Sequence, residues 1–558
     1  MNSDDSSRFQ PYLDEVFACV PRLLSLQNTN PISTTYGCFH KGFWLHRIFD
    51  FPSSIYQMSC QTLAHLYSFD HPSNTYFKNR KILNRAIAGF EYALTLQKSD
   101  GSFDEWYPNE RGWAGPTGYL MHALVKTFHI IEPHISDSLK NDFIQKAKKS
   151  AWHLIKHEEK DILANHYGIA LLPIYEIYNL TNDEEIRKGF EQCFDSFCTY
   201  WVEEEGWFLE YDGADIGYLA ATISFLARIH QLNEDPRIEA IVKKALNFCS
   251  YFCFPNHSFG GTVGSRQTAM FYPFGFEYWS QYFSEARSIR DWGRQGLSLN
   301  RMIVPQQQSD HYLNYRLEDY FEAYEISFKN KISDSIEPLP YESSNDISLN
   351  FIEAKIYVHK DKNRYCVVNL GKGGVIKCFS LPSGNPLLID SGWLAITNRG
   401  EKITPQWIDL EYKIDVQDNQ IEVSGFANYY NDKSFTPMKW ILFRLFMLTI
   451  GWNAFLAKWA KKLIRSLLVV GVRRSKVPFK RIISFNASLS VLDEIVANEN
   501  SLIKLCYGDE YFVRYVPQSN YFTLNDLNPP GETFNSDSLQ KIYRNGKYIL
   551  KRDIPCVE

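Results

Sequence analysis

Four stretches of this 558-residue chain gather side chains able to move protons or hold charge. In Ala164–Gly168 (ANHYG), Asn165 and His166 stand together at the start of a predicted helix, where backbone N–H groups favour an anion. The same pair also suits an ordinary N-cap with His166 packed beside it. In Glu205–Ala220 (EGWFLEYDGADIGYLA), Glu210, Tyr211, Asp212, Asp215 and Tyr218 crowd a loop ahead of an apolar helix. Asp215 can cap that helix, yet the density of titratable groups exceeds what a cap requires, and loops on rigid scaffolds carry function. Phe259–Tyr278 (FGGTVGSRQTAMFYPFGFEY) pairs glycines with Arg266, whose planar fork suits either a substrate carboxylate or an internal salt bridge. In Leu96–Trp113 (LQKSDGSFDEWYPNERGW), Gln97 and Gly101 read as the tie of a helical hairpin. Asp104, Glu105, Trp106 and Trp113 are freer to line a mouth.

The elements that must position these groups change style along the chain. From Pro11 to about Asp291 the pattern is helix after helix, for example Ile82–Gln97 and Asp215–Gln231, with apolar residues spaced by three and four. Short Gly, Asn, Asp and Pro loops join them, and pairs recur as in α/α hairpin toroids. After about Pro305 the segments are short and rich in β-branched or aromatic residues, such as Asn350–His359, Gln420–Phe426 and Arg481–Phe485, the signature of an antiparallel sandwich. The expected organisation is a helical domain over 1–301 and a β domain over 302–558, with Met302–Pro338 as hinge. A helical insertion is expected at about 437–472. Within it, the apolar run Trp440–Val472 is broken by Arg444, Lys458, Lys461, Lys462 and Arg465. That is too charged for a spanning helix; it fits a helix lying on a membrane surface, or one packed on its own domain or a second subunit.

Composition narrows the function classes. A net charge of −5 gives no basic footprint for nucleic acid. Aromatic residues reach 15%, more than a core alone asks for, and some are expected as sugar platforms. The eleven cysteines lack metal-ligand spacing and read as reduced, buried thiols. The N-terminus lacks the basic and apolar regions of a signal peptide. The expected location is cytoplasmic, with peripheral contact at the inner membrane left open through 440–472.

Taken in order, these pieces resemble the heparinase II/III-type polysaccharide lyases. The resemblance rests on Asn165–His166 at a helix start, on Tyr218 some 52 residues beyond His166, and on Asp390–Gly392 in LLIDSGW. It implies an incomplete α/α toroid followed by an antiparallel β-sandwich, and β-elimination on a uronic-acid polysaccharide, here in surface-polysaccharide metabolism. It assigns catalysis to Asn165, His166, Tyr211 and Tyr218. Arg266, Trp106, Trp113, Asp215 and Lys372 are expected to bind substrate, with no metal and no cofactor. One departure stands out: where the family carries a His-rich sandwich stretch, this chain has Gly371–Phe379 (GKGGVIKCF), in which Lys372 or Lys377 is the available cation. Two other readings stay open, a glycoside hydrolase pairing Asp104 or Glu105 with Asp212 or Asp215, and a glycan-binding or assembly protein without chemistry.

Overall fold

Two kinds of helix alternate up to Ser327, and their sequences decide which goes inside. The structure, a computed structural model, describes residues 9–554 except 112, 157–162, 328–335, 433, 454, 458, 461–470, 509–510, 512, 515 and 517–530. Helices such as Glu184–Cys198 carry one apolar stripe (Ile186, Phe190, Phe194, Phe197) and charge elsewhere, so they sit outside. Helices such as Ala114–Ile131 and Ile216–Leu232 are apolar on all sides and buried along nearly their whole length. The inner helices are Ser59–Ser68, Ala114–Ile131, Ala164–Thr181, Ile216–Leu232, Pro273–Trp279 and Asp310–Ser327, each packed on the next. The last returns to the first: Ser59 Oγ donates to Asn314 Oδ1 at 2.9 Å, and His65 Nδ1 meets Glu318 at 3.0 Å. This ring is an α/α toroid. Its hairpins close with a repeated device. Gln97 Nε2 donates to the Lys146 carbonyl and to Ser150 Oγ, both at 2.8 Å. Gly101, at φ +91°, then lies on the Lys149 carbonyl, which a Cβ would approach to 2.4 Å.

The helical layer runs past the expected boundary at 301. Asp310–Ser327, expected in the hinge, is an inner helix of the toroid with Asn314, Arg316, Glu318 and Asp319 all buried. Its charges serve the hub of the ring: Arg228 pairs with Asp319 and Glu322 (3.1 and 2.5 Å), and Lys126 with Glu322 (3.3 Å). His65 belongs to this network through Glu318 and Glu325. Burial alone pulls its pKa down, but hydrogen bonds and charge from the two glutamates reverse this and raise it to about 10. A folded-state pKa above the unfolded value means stability that is full below about 6.5 and is lost as pH rises through about 10. Melting temperature is therefore expected to fall from about pH 7 to about pH 10, and His65→Gln to lose roughly 3 kcal/mol or more at neutral pH with a flatter profile. Equal profiles for wild type and variant in thermal denaturation would contradict this.

The β half has two antiparallel sheets. The smaller runs Ile347–Phe351, Ile356–Lys360, Arg364–Asn369, Val375–Ser380, Pro386–Asp390 in spatial order. Its three central strands are buried at every position, because both faces are covered. Val358, Tyr365, Val367 and Phe379 join the core of the toroid. The alternate residues Tyr357, Val368 and Ile376 pack on Trp393, Ile421, Val423 and Ile483 of the larger sheet. Asp390, in the LLIDSGW segment, is a buried ion-pair partner of Arg481 (3.2 Å), which also holds Asp493. The cysteines depart from expectation in one place: Cys366 and Cys378 face each other across adjacent strands and are joined as a disulfide, while the other described cysteines are free.

Strands Gln420–Tyr429 and Arg474–Phe485 are hairpin partners, and Tyr429 N–H donates to the Arg473 carbonyl at 2.7 Å. Residues 430–473 are thus the connection of one β-hairpin, with the helix Pro437–Leu448 in it. Of the expected insertion, 461–470 lies outside the described residues. Among the described residues no helix is long and apolar enough to cross a membrane.

Candidate active site

Four of the inner helices present their N-terminal ends to one open cavity on the toroid. Trp113 is the N-cap residue of Ala114–Ile131. Asn165 and His166 form the first turn of Ala164–Thr181, Tyr218 the first turn of Ile216–Leu232, and Tyr312 and Tyr315 the start of Asp310–Ser327. All of these line the cavity, with Tyr211, Glu105, Trp106 and Tyr119. Several helix dipoles therefore direct partial positive charge into one space, which suits an anionic ligand.

Asn165 is held from below. Its backbone N–H donates to Glu210 Oε1 at 2.6 Å and its Nδ2 to Oε2 at 2.7 Å. Burial pushes the Glu210 carboxyl well above the usual range, against the Asn165 hydrogen bonds and Arg266, which favour the ionised form. His166 is half-buried beside Trp113, ring centroids 5.2 Å apart. Its Nε2 would lie 2.9 Å from a Cβ at Gly115, so glycine there gives the imidazole its room. Tyr211 adopts a left-handed backbone, φ +63°, an arrangement that costs a non-glycine residue about 1–3 kcal/mol and concentrates at functional sites. Its ring lies 6.1 Å from that of Tyr218, and the two phenols influence each other's titration. Burial, then the neighbouring Tyr211 and Asp215, raise Tyr218 well above the ordinary phenol range. Tyr218 therefore holds its proton at neutral pH.

Three residues expected at the substrate stand elsewhere. Arg266 lies behind Tyr211, its guanidinium 4.5 Å from the ring centroid, and is paired with Asp212 at 3.2 Å. Asp215 is an N-cap: its Oδ1 accepts from Tyr218 N–H and the Thr268 hydroxyl, its Oδ2 from Arg266 N–H. Burial raises it to about 6 despite these bonds. Lys372 Nζ donates to the Thr262 and Gly264 carbonyls at 2.8 and 2.9 Å, tying the small sheet to the glycine loop of the toroid. Lys377, under Phe254, does not line the cavity either. Lys372→Ala is accordingly expected to cost roughly 1–3 kcal/mol in chemical denaturation, the usual cost of stranding buried polar groups. Wild-type stability would contradict that role.

On the opposite wall the sequence singled out Glu105 and Trp106 but not their partners His311 and Tyr315. Glu105 Oε1 accepts from His311 Nε2 at 2.7 Å and from the Tyr315 hydroxyl at 2.6 Å, and His311 stacks on Trp106 at 4.7 Å. The i, i+4 spacing of His311 and Tyr315 was the available signal. From the sandwich come Val516, packed with Tyr211 and Tyr218, and Arg514, 2.8 Å from Asp212. Asp104 organises its own loop, accepting from Asn109 and Glu110 N–H and pairing with Lys98. Of the carboxylates weighed for hydrolysis, only Glu105 reaches the cavity. Among the described residues no cluster of His, Cys, Asp and Glu could hold a metal ion.

Residues 66–276 match the family model of the ulvan lyase N-terminal domain. Chondroitin AC lyase of Streptomyces coelicolor A3, solved with chondroitin sulphate, aligns over 88% of this chain and 71% of its own, at 10% identity and a TM-score of 0.51. A variant of that enzyme gives 89%, 67%, 8% and 0.51. Heparinase III aligns over 81% of this chain and 64% of its own, at 10% identity and a TM-score of 0.50. No curated protein sequence matches. At such identities the likeness to the solved structures is one of fold, a helical toroid followed by antiparallel sheets. Part of the toroid is thus similar to the ulvan lyase N-terminal domain, and the toroid followed by antiparallel sheets is the architecture shared with these solved lyases.

Proposed function

We propose that the protein cleaves a uronic-acid-containing polysaccharide by β-elimination, in the metabolism of a bacterial surface polysaccharide and on the cytoplasmic side of the membrane. The observation that carries this reading is the meeting of Asn165, His166, Tyr211 and Tyr218 at one cavity faced by helix N-termini. In the reaction His166 removes the C5 proton of the uronate. The electron pair moves into the carboxylate as an enolate-like state, then forms the C4–C5 double bond as the C4–O bond breaks. Tyr218 protonates the departing oxygen. Asn165 spends one Nδ2 hydrogen on Glu210 and has a second for the substrate carboxylate, whose charge grows in the transition state. Trp106, Trp113 and Tyr312 offer flat apolar walls to sugar rings. Lys372, committed to the interface between toroid and sandwich, takes no part, and Lys372→Ala leaves turnover within a few-fold of wild type.

Two carboxylates across a groove, about 5 to 10 Å apart, would favour hydrolysis. Among the described residues that line the cavity Glu105 is the single carboxylate, which weighs against that alternative. The test is incubation with a panel of uronate polymers, read at the ultraviolet absorbance of the unsaturated product. New reducing ends without that absorbance would indicate hydrolysis. Binding of a polymer with no product at all would make the protein a glycan-binding one.

A further inference from the structure

The hairpin connection 430–473 leaves apolar surface in water. Its helix Pro437–Leu448 buries one side chain, Met447. Trp440, Ile441, Leu442 and Leu445 are 46–59% exposed, and beyond the helix Trp452, Phe455 and Trp459 are 58–77% exposed. Arg444 bonds Asp50 at 3.2 Å and so joins this surface to that of exposed Ile48. Contiguous apolar area of this kind marks an interaction site. Its charge is as one-sided as its polarity: from Lys433 to Arg473 the sequence has eight Lys or Arg and no Asp or Glu, in a chain of net charge −5.

We propose that this segment docks the protein on an anionic lipid bilayer. A 12-residue helix is too short to cross a membrane. Exposed Trp, Leu and Phe among cations are what an interfacial helix needs, with apolar side chains in the acyl boundary and Lys and Arg at the headgroups. A second copy fits less well, because a two-fold contact would set the same Lys- and Arg-rich, acid-free stretch of sequence against itself. The segment also holds the site. Phe443 packs on Tyr107, ring centroids 5.1 Å apart, and Asn109 Nδ2 donates to the Met447 carbonyl at 3.0 Å. Tyr107 and Asn109 belong to the loop that carries Glu105 and Trp106 into the cavity, so docking sets that loop beside the bilayer. On the polysaccharide reading of the site, on which this last step rests, the substrate is a glycan held at a membrane surface.

The experiment is flotation of the full chain with vesicles of phosphatidylcholine alone or enriched in phosphatidylglycerol. The expected result is flotation with the anionic vesicles, weakened by salt. The variant Leu442→Gln/Trp452→Gln/Phe455→Gln should remain at the bottom with an unchanged melting curve, since all three side chains are more than half exposed. No flotation, flotation indifferent to phosphatidylglycerol, or a triple variant that floats as well as wild type overturns the proposal. A dimer in sedimentation equilibrium that the triple variant abolishes, without flotation, overturns it in favour of a second copy. Flotation reads no turnover, so its failure is separate from failure of the lyase reading.

Discussion

Tyr218→Phe is expected to lower kcat on a cleaved uronate polymer by about 100- to 10,000-fold, the usual contribution of a general acid or base, with KM held within a few-fold. The hydroxyl is needed only when the C4–O bond breaks, so its loss removes transition-state stabilisation and spares binding. The ring stays, packed with Tyr211, Leu163 and Val516, so the variant should fold. The surroundings decide the direction of proton transfer. Burial raises Tyr218 well above its ordinary range, so no tyrosinate is present at neutral pH to act as the base; the same shift makes the phenol a weaker acid, which gives its proton only as alkoxide charge develops on the departing oxygen. The base is then His166, and the activity profile should show no alkaline limb from Tyr218 below about pH 10. Tyr211→Phe is the control: it removes the neighbouring hydroxyl and is expected to cost less than Tyr218→Phe. Steady-state rates from the unsaturated product measure both. Retention of more than a tenth of wild-type kcat by Tyr218→Phe would remove it as the acid.

What the sequence could reveal follows from how far each group's role is local. Asn165, His166 and Tyr218 were legible because each begins a helix, and four inner helices bring such beginnings to one cavity. The roles of Arg266 and Lys372 were not. A guanidinium fork accepts any carboxylate, and only the fold sets Asp212 against Arg266. Lys372 appeared free to replace a missing histidine, but its ammonium is bound by two carbonyls about 110 residues away in sequence. Asp310–Ser327 was hidden for a related reason. Charged residues normally face water, so a helix carrying Asp310, His311, Arg316, Glu318 and Asp319 reads as a surface segment or hinge. In the toroid its charges are neutralised by Arg228, His65 and their neighbours, which belong to other helices. The opposite wall of the cavity, from His311 to Tyr315, was lost with it. The hairpin insertion showed in the sequence because its apolar run is uninterrupted by acid, and the exposed helix Pro437–Leu448 has the same cause.

Asn165→Ala is the second large effect. If the amide donates to the growing charge on the substrate carboxylate, its loss should lower kcat by about 10²–10³-fold, roughly 2.7–4 kcal/mol. The protein should remain folded, because Ala is a good helix former and the backbone N–H bond to Glu210 survives. Glu210 sharpens the test as a positioning residue. Both of its oxygens accept from Asn165, so Glu210→Gln must set an amide NH₂ against one of two N–H donors. The Asn165 side chain should then turn or lose its hold, lowering kcat by less than Asn165→Ala does, with KM nearly constant. Asn165→Asp gives the opposite electrostatic case. It adds a carboxylate beside Glu210 and the substrate's own, so both kcat and affinity should fall, and affinity should recover as acid neutralises the pair. If Asn165→Ala instead raises KM and leaves kcat intact, the amide binds ground and transition states alike, and the enolate must draw its stabilisation from the helix N-termini around it.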